Sequence, residues 1–180
     1  MQIMKKLMLL FPVFFTLSVS GQNPVTNSPD YLYLIWDTIP EEVYGYVNNM
    51  GDTVIPFHRY EICYTDTIRN FGIVYKYPYG YIGIDKSENY LFTVFPFDNG
   101  PDEPSEGLFR IMENGKMGYA DLNGNIIIRP QFDCALPFKD GKAEVSNYCY
   151  NYFDGEHGYW ESDNWFFIDK KGNRIGQSDK

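Results

Sequence analysis

Three residues near the carboxyl-terminal end have side chains that could carry out acid–base chemistry. Asp154, Glu156 and His157 are close in sequence, and a carboxylate beside a histidine can transfer protons as a general acid and base. A hydrolase acting on surface polymers could use such a group. All three residues fall in one predicted loop, however, and no nucleophile on a rigid element accompanies them. The sequence therefore predicts no catalytic residues and a protein that is not an enzyme, with the hydrolase as the alternative.

The same region contains aromatic residues whose spacing suits binding. Residues 146–165 are predicted to form a long hairpin, in which alternate side chains of a strand lie on one face. An aromatic face could stack on a sugar ring or pack on a protein partner. It could instead cover the end of the core, because large aromatic side chains are mostly buried. The predicted ligand-binding residues are Tyr148, Tyr150, Tyr152, Tyr159 and Trp160.

The histidines and the acidic residues show no metal or cofactor motif. His58 and His157 are the only histidines, and neither has a cysteine or histidine at the spacing of zinc ligands. The acidic segment 97–106 has the carboxylates that Ca²⁺ favours but lacks the ligand spacing of an EF-hand. Its prolines and glycine are typical of a solvated connector. We expect no cofactor and no bound metal.

The three cysteines are Cys63, Cys134 and Cys149. No C-x-x-C motif is present, so thioredoxin-type chemistry is not expected. An exported protein can form a disulfide, and Cys134 and Cys149 are the pair to test first, because a strand and its return could bring them together. Pairing cannot be deduced from the sequence, and between one bridge and three buried free thiols we favour the free thiols.

The amino-terminal residues are typical of a secretory signal peptide. Two lysines precede an apolar run over residues 7–17, and small residues follow. The run is shorter than the ~20 residues that a membrane-spanning helix needs. We predict a signal peptide over residues 1–20, a linker over 21–30 and one domain over 31–180. The mature protein would lie in the periplasm, on the cell surface or in the medium, without a stable membrane span.

The charge balance argues against one class of partner. The chain has 24 acidic and 15 basic residues, a formal net charge of −9, and no basic stripe. An acidic surface repels a phosphate backbone, so nucleic acid is not an expected partner. A protein or glycan partner fits an exported aromatic hairpin better.

The chain after residue 30 contains degenerate repeats of roughly 36 residues. The clearest unit has a strand over 108–112, a tight Asn-Gly turn and a strand over 117–121. A second turn and a third strand over 126–130 follow, and the strand is predicted to end at Pro130, which cannot donate to a ladder. Such a unit is a three-stranded antiparallel meander.

The second turn has a pattern that recurs: Asp or Asn, two residues, Gly, then Asp or Asn. The four copies, the second of which has lost its glycine, are 48–52, 85–89, 121–125 and 169–173. The residue before each copy is apolar, as a strand facing a core requires. A second set of glycines keeps nearly the same spacing and is predicted to precede strands: Gly72, Gly107 and Gly141.

The segment 107–145 resembles the WG (KWG) repeat of bacterial proteins through its stretches G-L-F-R, N-G-K-M-G-Y, D-L-N-G-N and P-Q-F-D. The pair that gives the family its name falls at Tyr44-Gly45, Tyr81-Ile82, Met117-Gly118 and Trp165-Phe166. The resemblance implies a β-rich tandem array and carries no catalytic residues. Each unit is too small to bury its own apolar face, so stacked neighbours must cover it. We expect an all-β fold of tandem three-stranded meanders in one elongated or open propeller-like domain.

Overall fold

The computed structural model describes residues 30–154 and 157–178. The secondary-structure elements in these ranges are all β-strands, as predicted. The predicted signal peptide, most of the predicted linker and the tip of the 146–165 hairpin lie outside the described residues. In the described ranges we find no helix long and apolar enough to cross a membrane. The strands are β1 (Leu32–Asp37), β2 (Val43–Val47), β3 (Thr53–Ile55), β4 (Ile62–Cys63), β5 (Thr67–Ile68), β6 (Phe71–Lys76), β7 (Gly80–Asp85), β8 (Tyr90–Val94), β9 (Pro96–Phe97), β10 (Gly100–Pro101), β11 (Leu108–Glu113), β12 (Lys116–Asp121), β13 (Ile126–Phe132), β14 (Cys134–Ala135), β15 (Lys142–Ser146), β16 (Tyr150–Asp154), β17 (His157–Glu161), β18 (Phe166–Asp169) and β19 (Arg174–Gln177).

The longer strands form four three-stranded antiparallel meanders, which confirms the predicted tandem arrangement. Meander 1 is β1–β2–β3, meander 2 is β6–β7–β8, meander 3 is β11–β12–β13 and meander 4 is β15–β18–β19. Strands β4, β5, β9, β10 and β14 are short and lie in the connections between meanders. Strands β16 and β17 form the hairpin that is inserted into meander 4.

The meanders are arranged in an open series of sheets. Meanders 2 and 3 join edge to edge in one seven-stranded sheet, ordered β13-β12-β11-β8-β7-β6-β4. Strands β8 and β11 form the junction, where Ile111 lies opposite Val94. Meanders 1 and 4 lie in four-stranded sheets, ordered β3-β2-β1-β5 and β14-β15-β18-β19.

The corner between the second and third strands has the same hydrogen bonds in all four meanders. Through its side-chain Oδ1, the first corner residue accepts hydrogen bonds from the backbone N–H groups of the third and fifth residues at 2.8–2.9 Å. Its backbone N–H donates to the carbonyl of the fifth residue at 2.9–3.1 Å. An Asp or Asn side chain thus stabilises its own turn, and the predicted corners are confirmed at 48–52, 85–89, 121–125 and 169–173.

The fourth residue of each corner has a positive φ, which favours glycine. Glycine holds this position in three corners, with φ values of 83–86°, and Glu88 holds it in meander 2 with a φ of 61°. The Glu88 carboxylate accepts hydrogen bonds from Arg59 Nε at 2.6 Å and from the Tyr60 hydroxyl at 3.0 Å. The corner that lacks glycine is therefore tied to the connection that follows meander 1.

The corner carboxylates make stability depend on pH in the acidic range. Hydrogen bonds from Asn89 and Asn173 hold the pKa values of Asp85 and Asp169 below those of ordinary aspartates. A carboxylate whose pKa is lowered in the folded state stabilises the fold at pH values above its unfolded-state pKa of about 4. That stabilisation is lost as the pH falls through the pKa of the folded state. We expect the urea midpoint to fall as the pH drops below about 4. Asp85→Asn, which keeps the Oδ1 acceptor as Asn48 does in meander 1, is expected to lessen that fall, and an identical pH profile would contradict the assignment.

Neighbouring meanders share their hydrophobic core. One cluster of buried side chains combines meanders 1 and 2, a second combines 2 and 3, and a third combines 3 and 4. In the described part of the chain no meander buries its apolar face alone, in agreement with the repeat prediction. Members of the three clusters are, in that order, Leu32, Tyr46, Val74 and Ile84; Phe92, Val94, Phe109 and Ile111; and Tyr119, Ile128, Val145 and Ile168.

Two features recur in meanders 1 and 3. Gly45 and Gly118 hold equivalent positions, and at each a Cβ atom would collide with a backbone carbonyl oxygen of the third strand. The next residues, Tyr46 and Tyr119, are buried and donate their hydroxyls to main-chain carbonyls at 2.6 Å. In meanders 1 and 3, the glycine of the name-giving pair is thus a position where the third strand passes close to the second.

A different feature recurs in meanders 2 and 4. Lys86 and Lys170 are the second residues of their corners, and their Nζ atoms donate to the carbonyls of Asp30 at 2.6 Å and Glu106 at 2.9 Å. Both carbonyls lie just before the first strand of the preceding meander. Meanders 1 and 2, and meanders 3 and 4, are therefore two pairs of similar construction.

Two details of the predicted strands are wrong. Pro130 lies inside β13 and does not end it. β13 is an edge strand whose pairing with β12 is irregular, and proline is tolerated at such positions. Gly72 lies inside β6 rather than before it, and a Cβ there would be 2.7 Å from the Ile68 side chain. The other two glycines of that set precede strands as predicted.

Candidate functional site

The inserted segment forms a two-stranded antiparallel hairpin, as predicted. β16 and β17 pair from Tyr150 opposite Glu161 to Asp154 opposite His157. Among the described strands these two form a sheet of their own. The hairpin therefore stands beside the array and does not extend one of its sheets.

Two links fasten the base of the hairpin. A disulfide joins Cys134 in β14 to Cys149, with Cα atoms 6.2 Å apart. The pair singled out for testing is therefore bonded, and the prediction of three free thiols is wrong. The hydroxyls of Ser146 and Ser162, both buried, are 2.9 Å apart. Cys63 is a free buried thiol, and burial raises its pKa to about 11, which makes it a poor nucleophile at neutral pH. The links lie before and after the two strands and hold both ends of the hairpin.

Four tyrosines form a continuous exposed surface on the hairpin. Their side chains are 43–56% exposed, and successive ring centroids are 5.0, 6.5 and 5.7 Å apart. Alternation along β16 places Tyr150 and Tyr152 on one face, and the pairing of Tyr152 with Tyr159 adds the fourth ring. Tyr148 lies in the bend before β16 and contacts Tyr150. We name the following residues the tyrosine surface: Tyr148, Tyr150, Tyr152 and Tyr159.

Contacts among the tyrosines fix the orientation of their rings. Tyr148 and Tyr150 meet edge to face, and their hydroxyls are 2.8 Å apart. Tyr152 and Tyr159 are stacked, with 19° between the ring planes. The hydrogen bond with Tyr148 raises the pKa of Tyr150 above that of an ordinary tyrosine, so this phenol is neutral at physiological pH. The surface combines apolar rings with uncharged hydroxyl groups.

Trp160 does not belong to the tyrosine surface. It follows Tyr159 in β17, so its side chain points to the other face of the hairpin. Its ring centroid lies 5.4 Å from that of Phe95, and the side chain packs against the core cluster shared by meanders 3 and 4. Trp160 therefore docks the hairpin onto the array, whereas the tyrosines are exposed.

Two residues of the hydrolase alternative, Asp154 and His157, lie at the last paired position of β16 and β17. The backbones of Asp154 and His157 pair with each other, whereas their side chains and all of Glu156 lie outside the described residues. His58, the other histidine, is exposed, and its Nδ1 lies 3.8 Å from Oε1 of Glu41. Within residues 30–154 and 157–178, no three His, Cys, Asp or Glu side chains form a group that could hold a metal ion.

Sequence reasoning missed a buried ion pair in the acidic segment 97–106, which was predicted to be a solvated connector. Asp102 is buried, and its carboxylate accepts hydrogen bonds from the backbone N–H of Arg110 at 2.8 Å and from Nε at 3.0 Å. A further bond joins Arg110 Nη2 to the same carboxylate. The guanidinium also lies over the Phe95 ring, 4.3 Å from its centroid. The sequence does contain one indication of this ion pair, because Arg110 is the single charged residue in the otherwise apolar run 108–112.

The comparison with protein families agrees with the repeat geometry. The family model for WG-containing repeats matches residues 44–74 and 117–147. The matches begin at Tyr44 and Met117, the predicted positions of the name-giving pair in meanders 1 and 3. No curated protein and no solved structure matches the chain. The chain is therefore an all-β repeat protein in which two segments, 44–74 and 117–147, match the model for WG-containing repeats.

Proposed function

We propose that the protein is an exported recognition module without catalytic activity, which binds its partner through the tyrosine surface. The observation that carries the proposal is the exposure of four adjacent tyrosines on a hairpin that other residues fasten. Trp160 and the disulfide between Cys134 and Cys149 attach the hairpin to the array. Tyrosine suits recognition because it offers a large ring and a hydroxyl at a low cost in conformational entropy.

The ring orientations favour a protein partner over a glycan. A sugar stacks on an accessible ring face, but the stacking of Tyr152 on Tyr159 covers one face of each ring. Tyr148 meets Tyr150 edge to face, so these two rings do not form one flat platform. An uneven surface that presents ring edges, ring faces and hydroxyls suits a protein, whose surface mixes side chains with main-chain groups. We therefore propose a protein as the partner.

Two observations support a location outside the cytoplasm. The cationic start and the apolar run over residues 7–17 are typical of a signal peptide. Cys134 and Cys149 are bonded, and disulfides persist mainly in oxidising compartments. The proposed location is the periplasm, the cell surface or the medium.

Site-specific photo-crosslinking tests the proposed partner surface. We expect a benzophenone amino acid at Tyr152 of the exported chain to crosslink one protein, and the same amino acid at Tyr79 to crosslink none. Tyr79 is a matched control, because it is also exposed but lies on the turn of meander 2. The captured protein, purified and titrated, is expected to bind wild type at least about tenfold more tightly than Tyr150→Ala/Tyr152→Ala, because aromatic residues dominate interface energies.

Three results would overturn parts of this proposal. Equal affinity of the purified partner for wild type and Tyr150→Ala/Tyr152→Ala would remove the tyrosine surface from recognition. Binding of oligosaccharides in place of protein, lost in that double variant, would make the partner a glycan. Turnover of a surface polymer that disappears in Asp154→Asn/Glu156→Gln/His157→Ala would favour the hydrolase.

A further inference from the structure

We infer that a cleft between Tyr64 and the 97–104 segment is a second binding site, which takes a neutral sugar residue of a glycan. The cleft has a volume of about 530 Å³, which lies in the range typical of small-molecule sites. It is lined by the connection between meanders 1 and 2, by Ile73 of meander 2 and by the connection between meanders 2 and 3. None of these residues belongs to the tyrosine surface. Its lining combines aromatic rings with hydroxyl, carboxylate and amide groups: Tyr64, Thr65, Phe97, Asp98, Asn99 and Glu103.

Two aromatic rings supply apolar surface in the cleft. Tyr64 and Phe97 are 39% and 56% exposed, so each offers ring area to a ligand. Tyr64 is supported by Tyr81, whose ring it meets edge to face with centroids 5.5 Å apart. The guanidinium of Arg110 lies 5.5 Å from the Phe97 centroid. The apolar C–H face of a pyranose ring stacks on exposed, supported rings of this kind.

The polar groups of the cleft suit hydroxyls better than charged groups. Asp98, Asn99 and Glu103 are exposed along the lining and can accept hydrogen bonds from hydroxyl groups. No lysine or arginine is among the described residues that line it. An anionic ligand would therefore meet carboxylates of the same sign. A metal ion would lack ligands, since no three His, Cys, Asp or Glu side chains in the described ranges form a metal-binding group. A neutral polyol meets both the apolar and the polar requirement.

The buried ion pair holds the cleft in shape before a ligand arrives. Asp102 lies within the segment that forms one wall, and its carboxylate is paired with Arg110. Its backbone N–H donates to the carbonyl of Phe95 at 2.8 Å. On either side of the turn, Gly100 of β10 pairs with Phe97 of β9. Binding to a wall that is already ordered costs less conformational entropy than binding to a loose loop.

Calorimetric titration of the full chain with defined neutral oligosaccharides tests this site. The probes are the hexasaccharides of cellulose, chitin, amylose and xylan. We expect at least one to bind, and Phe97→Ala to weaken that binding by about tenfold or more. Tyr79→Ala, an exposed tyrosine outside the cleft, is expected to change it by less than about twofold. Tyr150→Ala/Tyr152→Ala is expected to leave it unchanged, which separates this site from the tyrosine surface.

A second variant guards against an indirect effect of Phe97 on the fold. Asn99→Ala/Glu103→Ala keeps both rings and removes hydrogen-bonding groups, and we expect it to weaken sugar binding at least about fivefold with an unchanged urea midpoint. The inference is overturned if none of the four hexasaccharides binds at millimolar concentration. It is also overturned if binding is unaffected by both variants, or if an anionic polysaccharide binds in preference to every neutral one.

Discussion

Asparagine in place of Asp102 is expected to lower the free energy of unfolding by about 3–5 kcal/mol. The side chains of Asp102 and Arg110 are only 3% and 4% exposed, so the variant leaves a guanidinium buried without its counter-charge. Arg110 would keep its hydrogen bond to the Ala135 carbonyl at 3.3 Å and its contact with Phe95, which do not neutralise its charge. Urea unfolding of the purified protein, followed by circular dichroism, measures the loss.

Asp98→Asn is the matched control for this substitution. Asp98 lies in the same segment but is exposed. A surface substitution of this kind changes the free energy of unfolding by no more than about 0.5 kcal/mol. Replacing both partners by apolar residues, as in Asp102→Leu/Arg110→Met, is expected to recover much of the loss, because no buried charge remains. Equal unfolding midpoints for Asp102→Asn and Asp98→Asn would show that the ion pair does not support the fold.

Alanine in place of Gly118 is expected to destabilise the protein by about 3 kcal/mol or more. Its Cβ would lie 2.6 Å from the backbone nitrogen of Pro130 and 2.7 Å from the carbonyl carbon of Arg129. These are backbone atoms of β13, so the third strand itself would have to move away from β12. The movement would also disturb Tyr119, whose hydroxyl is bonded to the Leu136 carbonyl in the shared core.

Gly176→Ala provides the comparison for Gly118→Ala. Gly176 lies in β19, and a Cβ there would meet no atom within 4 Å. We expect this variant to change the free energy of unfolding by no more than about 0.5 kcal/mol. If the two alanine variants unfold at the same urea concentration, the close crossing of β12 and β13 does not explain the glycine of the name-giving pair.

The corners of the meanders could be predicted because their stabilising contacts are local. Asp121 accepts hydrogen bonds from the residues two and four positions later. The groups that make these corner bonds therefore all lie within five consecutive residues. The same is true of the copy in meander 2, where Glu88 replaces the glycine and the corner still forms. Strand alternation likewise predicted that Tyr150 and Tyr152 share a face, whereas Tyr148 lies in the bend before β16.

Features that depend on distant contacts were not predicted. An aspartate between prolines is typical of a solvated loop, and only the fold shows that Asp102 reaches Arg110 and is buried. Trp160 was predicted to bind with the tyrosines, as part of the returning strand of the hairpin. Its side chain instead meets Phe95, which lies between β8 and β9. The pairing of meanders was not predicted either, because the hydrogen bonds from the corner lysines join residues far apart in sequence. These bonds run from Lys86 to Asp30 and from Lys170 to Glu106.

The most direct test of the account compares the stability of Tyr150→Ala/Tyr152→Ala with that of wild type by urea unfolding. If the tyrosine surface exists for recognition, the double variant keeps the wild-type circular dichroism spectrum and loses no more than about 2 kcal/mol, as expected for exposed side chains. A larger loss, or a changed spectrum, would show that these tyrosines hold the fold together and would contradict the proposal that they serve a partner.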